Sequence, residues 1–485
     1  MTTNDELDEA VQQAQVAFLA ARGAEPDTRA GWLEAIADGL DAAAEDLVPL
    51  AQAETHLAEG RLQGELKRTT FQLRLFAEEV RRGEILDATI DHADDSWGMG
   101  PRPDLRRMNV PLGVVGVFGA SNFPFAFSVM GGDSASALAA GCAVVHKIHE
   151  AHLQLGLRTA EIVVAALAQA GAPAGLFSAV TGRDAGQALV DHPLTTAVGF
   201  TGSTRVGRIL ADRAAARPEP IPFYGELGSI NPVVVTQQAW AARRDEILTA
   251  YVGSYTLGMG QFCTKPGILF VPQLDEDSTQ VLRETVAGSD PSPMLTTGLA
   301  EGFLHARSAM AQRGLTEIVP GGQGDAPAPA LFATTVEAAV QDPAIVREEM
   351  FGPASIVISY RDEAELTRGV ELLEGQLTTT VHAEPGEQLD ELVDVLAARS
   401  GRVIWNSWPT GVTVSYAQQH GGPFPATTAP GTTSVGTAAA RRFMRPVSYQ
   451  GFPEASLHAA LREDNPLAIS RRVDGEWQIS ERGAK

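Results

Sequence analysis

The sequence predicts an α/β protein built on mostly parallel sheets covered by helices. Three observations predict it. Apolar strand candidates alternate with helical stretches from Val110 to about Val235, and again from about 240 to 430. Alternation of that kind, with room for crossover helices, implies parallel pairing with both faces buried. The chain has 485 residues, 44% hydrophobic and 20% charged, which suits a folded protein of two or three domains.

The elements follow in order. Ala10, Val11, Ala14, Phe18 and Leu19 recur at helical spacing, and Trp32, Ile36, Leu40 and Ala43 repeat the pattern after Pro26 and Asp27. A third helix is expected at about 63–81, carrying Leu66, Phe71, Leu73, Phe76 and Val80. Residues 83–112 change character: EILDATID and RRMNVP flank a Gly/Pro/Asp-rich turn region, which reads as a β-hairpin leaving the body. VVGVFG, AVVHKI, GLFSAV, TAVGFTG and PVVVTQ are the next strands, with helices at 127–140, 152–170, 184–190 and 203–216. Helix 241–257 opens the second block, whose strands include GILFVP, ASIVIS, TTTVHA and GRVIWN. The C-terminal region is irregular apart from strand-like RRFMRPVSYQ at 441–450. The expected domain boundary is QQAWAARRDEI, near 240.

Charge and cysteine usage narrow the function classes. With 37 Lys+Arg against 60 Asp+Glu the net charge is -23, the wrong sign for neutralising nucleic-acid phosphates. The two cysteines, Cys142 and Cys263, exclude a disulfide framework and a cysteine-rich zinc site, and suit a reducing compartment. MTTNDELDEAVQQAQ has no secretory pattern, and no run of about 20 apolar residues could span a bilayer. A cytoplasmic protein with neither nucleic-acid nor membrane partners is expected.

The chemistry-bearing residues are individually weak signals. No Gly-x-Gly-x-x-Gly or Walker-type loop follows any strand, so an ordinary dinucleotide fingerprint is missing. GFTGSTRVG (199–207) offers an apolar strand, Gly202, a capping Ser203 and a helix, an arrangement that could hold a pyrophosphate but more often marks a plain capped helix. Cys263 lies in the Gly/Pro-bounded GQFCTKPG; a lone cysteine is more often a small buried hydrophobe than a nucleophile. Lys265 would favour its thiolate if both side chains face one pocket. Cys142, in AAGCAVV, reads as packing. Glu226 in YGELGSINP reads as a solvated cap, and Asn122 in GASNFPF as a turn residue. His146, His149 and His152 surround Glu150, but the spacing is His-Glu-x-His on a segment that starts as a strand, so no metal site is expected.

In combination the motifs resemble the aldehyde dehydrogenase superfamily over nearly the whole chain. PLGVVGVFGASNFPFAF (111–127), AVVHKIHEAH (143–152), GFTGSTRVG, GELGSINP, GQFCTKPG and EEMFGP (348–353) match six of its motifs in the family's order. The resemblance implies a Rossmann-like cofactor domain from 1–82 and 113–240, and an α/β catalytic domain from 241–432. It also implies a small β oligomerisation element from 83–112 and 433–485, whose strands pair across subunits in a homodimer or homotetramer. Cys263 would be the nucleophile, Asn122 with the Cys263 N–H the oxyanion site, and Glu226 the base that hydrolyses the thioester. Lys147, Glu150, Gly202, Ser203, Glu349 and Phe351 would hold the cofactor. A carboxylate at Glu150 would repel a 2′-phosphate, so NAD is favoured and NADP is the alternative, since Arg183 or Lys147 could offset that charge. Glu226 argues against a CoA-acylating enzyme, and retention of Cys263 and Asn122 argues against a non-catalytic member of the fold.

SNFPFAFSVMGGDSASALAAGCAVVHKIHEAH, GVTVSYAQQHGGPFPATT (411–428) and TTSVGTAAARRFMRPVSYQGFP (432–453) further resemble 2-oxoglutarate semialdehyde (2,5-dioxovalerate) dehydrogenases. A fatty-aldehyde enzyme of the same subgroup is also similar. Lys265 departs from the usual asparagine beside the nucleophile, and Trp405, Trp408 and Tyr416 add aromatic bulk. Phe125, Lys265 and Trp408 are therefore the candidate substrate residues. The lysine suits a carboxylated semialdehyde, whereas the aromatics suit an aliphatic or aromatic aldehyde; Trp405 and Trp408 could equally pack in the core.

Overall fold

The computed structural model describes residues 1–480, and three sheets organise them. In the first, the strands Phe177–Val180, Ala143–Lys147, Val114–Phe118, Thr195–Thr201 and Phe223–Glu226 lie side by side in that order, all parallel. Val114–Phe118 is buried at every position, as a central strand covered on both faces must be. From it the chain builds toward one edge, then returns to build on the other side. The order therefore reverses between Val114–Phe118 and Thr195–Thr201, and such a switch point opens a crevice at the carboxyl ends of the strands. The helices Asn4–Ala21, Pro26–Ala42, Ala44–Thr55 and Glu59–Arg82 share this sheet's hydrophobic core. Ala44–Thr55 was not expected; Pro49 in its interior obscures the periodicity.

The second sheet runs Thr316–Val319, Ala330–Thr335, Ala354–Ser359, Ile268–Val271, Val233–Val235, Gln376–His382 and Ser400–Trp405, parallel except for its first pair. Ile268 and Phe270 enter one core while Leu269 and Val271 enter the other, the period of two that a strand imposes. Val233–Val235 corrects the expected division near 240, because it lies inside this second sheet rather than ending the first. An apolar strand suits either sheet, and periodicity does not say which one it joins. Phe223–Glu226, expected as a turn, is instead the edge strand of the first sheet.

The third sheet joins Met444–Gln450, Leu105–Pro111, Thr89–Asp91, Arg471–Val473 and Glu476–Gln478, from the two segments expected to form a small β element. Within the chain those two segments pair with each other. Met444 faces Pro111 and Gln450 faces Leu105 within one chain. The Leu112 N–H donates to the Phe443 carbonyl at 2.9 Å, which delivers the two strands to each other. Among the described residues no helix is long and apolar enough to cross a membrane.

Candidate active site

A cleft of about 600 Å³ lies at the switch point of the first sheet. Ligand pockets for small molecules span about 300–1,000 Å³, so a dinucleotide fits in size. Asn122, Lys147, Glu150, Gly202 and Ser203 line it from the first sheet's loops, and Cys263, Glu349 and Phe351 close its inner end. Lys147 ends its strand with Nζ 3.8 Å from the Glu150 carboxylate. Burial lowers the Lys147 pKa, and Glu150 opposes that shift. Ser203 caps the helix Thr204–Ala216, its hydroxyl accepting the Val206 N–H at 3.4 Å. The helix N-terminus thus lines the cleft together with Lys147, Arg183 and Arg205, an arrangement able to meet an anion. Of the three histidines near Glu150, His152 contacts the Ala120 carbonyl at 3.0 Å and His146 the Ser134 hydroxyl at 3.2 Å. Both are buried core residues.

The nucleophile loop is clamped from several directions. Asn122 Nδ2 donates to the Gln261 carbonyl at 3.0 Å, which orients the amide in the cleft that Cys263 also lines. Asn231, at a φ of 55°, donates from Nδ2 to the carbonyls of Cys263 (2.8 Å) and Lys265 (3.0 Å). Gln376 Oε1 in turn accepts the N–H groups of Ile230 and Asn231 at 2.7 and 2.9 Å. Among the described residues the Cys263 N–H makes no hydrogen bond, so it is free to meet an oxyanion. Asn231 and Gln376 escaped the sequence reading. The Asn-Pro step of GSINP was their one local signal, and an asparagine tolerates the left-handed backbone there.

Glu226 and Cys263 are linked by a residue that no motif identified. His420 Nε2 lies 3.4 Å from the Cys263 sulfur. Its Nδ1 lies 3.1 Å from Glu226 Oε2, close but without hydrogen-bond alignment. Burial would lower the His420 pKa, yet Cys263 and Glu226 together outweigh it and push the imidazole up to about 9. A protonated imidazole puts a positive charge between the sulfur and the carboxylate. His420 is held by its N–H to Thr433 Oγ1 (2.9 Å) and its carbonyl to the Ser434 N–H (2.8 Å).

The three candidate substrate residues are not where the sequence reading placed them. Lys265 is buried and turned away from the substrate side, with Nζ donating to the Met350 carbonyl at 2.7 Å and the Ala354 carbonyl at 2.8 Å. Burial lowers its pKa, and the neighbouring Glu349 carboxylate partly restores it. Two residues from Cys263 in a tight turn, its side chain serves the Glu349–Phe351 segment, not the thiol. Trp408 packs on His382 at 4.7 Å and on Tyr251 at 6.0 Å, against the core of the second sheet. Phe125 is buried in the first core, and only its backbone N–H is engaged nearby, by Glu65 at 2.9 Å. The aromatic rings packed around the cysteine loop are instead Phe262, which precedes Cys263 and meets Phe123 edge to face at 5.3 Å, and Phe127, which meets the His420 ring at 6.0 Å.

A thiol, an orienting amide, a buried carboxylate and a dinucleotide-sized cleft can together oxidise a carbonyl carbon through a thioester. A sequence model described as the aldehyde dehydrogenase family matches residues 1–423. Alpha-ketoglutaric semialdehyde dehydrogenase 2 of Azospirillum brasilense is 48% identical over 482 residues, covering 97% of this chain and 91% of the relative. Alpha-ketoglutaric semialdehyde dehydrogenase of Acinetobacter baylyi is 42% identical, covering 98% and 91%. Among solved structures, an NAD-dependent aldehyde dehydrogenase from Sinorhizobium meliloti superposes with a TM-score of 0.77 at 24% identity, covering 93% of this chain and 88% of that one. Bradyrhizobium japonicum proline utilization A gives 0.79 at 24% identity, over 92% of this chain and 45% of that one. Fold, site and relatives agree: this chain belongs to the aldehyde dehydrogenase family and is an NAD(P)-linked, aldehyde-oxidising oxidoreductase.

Proposed function

We propose that the chain oxidises 2-oxoglutarate semialdehyde (2,5-dioxopentanoate) to 2-oxoglutarate. The observation that carries the chemistry is Cys263, in the cleft that Asn122 also lines, contacting His420, whose other ring nitrogen lies beside Glu226. Cys263 attacks the aldehyde carbon as a thiolate, with the His420 imidazolium beside it. The new oxyanion is met by Asn122 Nδ2 and the Cys263 N–H. A nicotinamide cofactor held at that end of the cleft would supply the hydride acceptor, so that Cys263 is left carrying a thioester. Glu226 then removes a proton from the water that hydrolyses it, releasing the acid and the thiolate.

The two bacterial relatives' names support the semialdehyde as substrate. The phenylalanines around the thiol support a second reading, an aliphatic or aromatic aldehyde. NAD is the favoured cofactor, because the Glu150 carboxylate stands in the cleft beside Lys147 where a 2′-phosphate would lie. NADP is the alternative, since Arg183 and Arg205 line the same cleft. Lys147 and Glu150 would hold the adenosine ribose, Gly202 and Ser203 the pyrophosphate, and Glu349 and Phe351 the nicotinamide end. Two free thiols suit the cytoplasm. A homodimer or dimer-based tetramer would cover the open edges of the third sheet, where Trp477 is exposed.

A steady-state panel tests substrate and cofactor together. We expect kcat/KM for 2,5-dioxopentanoate to exceed that for hexanal by about 100-fold, and NAD to exceed NADP by about tenfold. Equal turnover of the two aldehydes would overturn the semialdehyde reading.

His420 makes a separate, pH-dependent prediction. Its imidazolium is present below about 9 and lost as pH rises through that value. His420→Asn is therefore expected to slow alkylation of Cys263 by iodoacetamide about tenfold at pH 7, with the deficit closing above pH 9. Cys142 does not interfere, being fully buried with its thiol pushed up to about 11 by burial. A deficit that is the same at every pH would remove the imidazolium from the mechanism.

A further inference from the structure

With Lys265 turned toward the cofactor side, the cations nearest the other side of Cys263 come from remote elements. They are Arg61 and Arg68 of the helix Glu59–Arg82 and Arg402 of the strand Ser400–Trp405. One loop gathers them beside the nucleophile. Arg68 Nε donates to the Val412 carbonyl at 3.3 Å, and Arg402 donates to the carbonyls of Pro409 (3.0 Å) and Gly411 (3.3 Å). The Gly411 N–H donates to the hydroxyl of Thr264, the residue after Cys263, at 3.3 Å. Aromatic contacts trace the same path: the Arg68 guanidinium lies 5.3 Å over Phe127, whose ring meets that of His420 at 6.0 Å.

This cluster is short of negative charge. Both terminal nitrogens of Arg68 and Nη1 of Arg61 are buried without an acceptor among the described residues. Glu65 is the one carboxylate that acts on Arg61 and Arg68; its Oε1 accepts the N–H groups of Phe125 and Ala126 at 2.9 Å, and its Oε2 makes no hydrogen bond with either arginine. A Cys263 thiolate is the other charge that acts on Arg68, and the one that acts on Arg402. A guanidinium edge with two empty donors matches a carboxylate bidentately, and leaving such donors unpaired is costly.

We propose that Arg68, supported by Arg402, binds the carboxylate at the far end of the substrate and sets the enzyme's preference for acid-bearing aldehydes. The proposal rests on the semialdehyde reading above and names the group that enforces it. Arg61 is the less suitable receptor, because its Nη2 is engaged by the Asn122 carbonyl at 2.7 Å and its guanidinium stacks on Phe262 at 4.7 Å.

The test compares 2,5-dioxopentanoate with hexanal in the full-length enzyme and in Arg68→Leu and Arg68→Lys. Arg68→Leu is expected to raise KM for 2,5-dioxopentanoate about 100-fold, with a loss of about threefold or less in kcat and in hexanal turnover from the lost charge near Cys263. Arg68→Lys, which keeps the charge but not the fork, should fall between. Hexanal activity reports that each variant is folded, and Arg402→Gln serves as the second site if Arg68→Leu is not. An unchanged KM for 2,5-dioxopentanoate, or an equal loss on both aldehydes, would overturn the proposal. Failure of the underlying reading is separately visible, because the unsubstituted enzyme would then show no preference to lose.

Discussion

Cys263→Ala is expected to lower aldehyde-dependent NAD(P) reduction by at least about 10⁴-fold, because no other group in the cleft can form the covalent intermediate. The substitution should leave the fold intact. The loop is held through backbone carbonyls, with Asn231 gripping those of residues 263 and 265 rather than the sulfur. Lys147 and the helix N-terminus stand on the other strands' ends, so the nucleotide should still bind. Loss of turnover with unchanged NADH binding by fluorescence titration is the expected pair of results. Residual turnover within tenfold of the starting enzyme would displace the thiol from the reaction.

Glu226→Gln should separate the two halves of the reaction. The glutamine keeps the size of the side chain, and the backbone carbonyl of residue 226 still accepts the Gly202 N–H at 3.0 Å. What it cannot do is take a proton from water. Attack and reduction should therefore proceed once, giving a burst of about one reduced nucleotide per subunit. Steady-state turnover should then fall about 10²–10⁴-fold, the range for loss of a general base. Mass spectrometry of acid-quenched enzyme should find the acyl group on Cys263. A variant with neither burst nor adduct would place Glu226 before the thioester instead of after it.

Much of this was legible in the sequence, for local reasons. The first sheet's strands were visible because buried parallel strands are apolar runs bounded by turns. Cys263, Asn122 and Glu226 were weak singly and persuasive in order, and the fold brings Cys263 and Asn122 to one cleft with Glu226 reached through His420. What failed was inference from adjacency. Lys265 looked like a partner for Cys263 because it is two residues away, yet a turn closed by the Lys265 N–H on the Phe262 carbonyl (3.1 Å) sends the side chains in different directions. Conversely His420 and Arg68 lie far along the chain from the nucleophile, and their placement depends on sheet order and loop packing that no local pattern encodes. Val233–Val235 was recognised as a strand and assigned to the wrong sheet for the same reason.

Lys265 has one more consequence. Its ammonium holds the carbonyls of Met350 and Ala354, the two shoulders of the turn that carries Phe351, while its own backbone belongs to the cysteine loop. The turn that carries Phe351 is thus pinned to the stretch of chain bearing the thiol. Any swing of the turn must drag that loop with it or sever two charge-assisted bonds. The lysine works as a pin, tying the position of that turn to the aim of the sulfur.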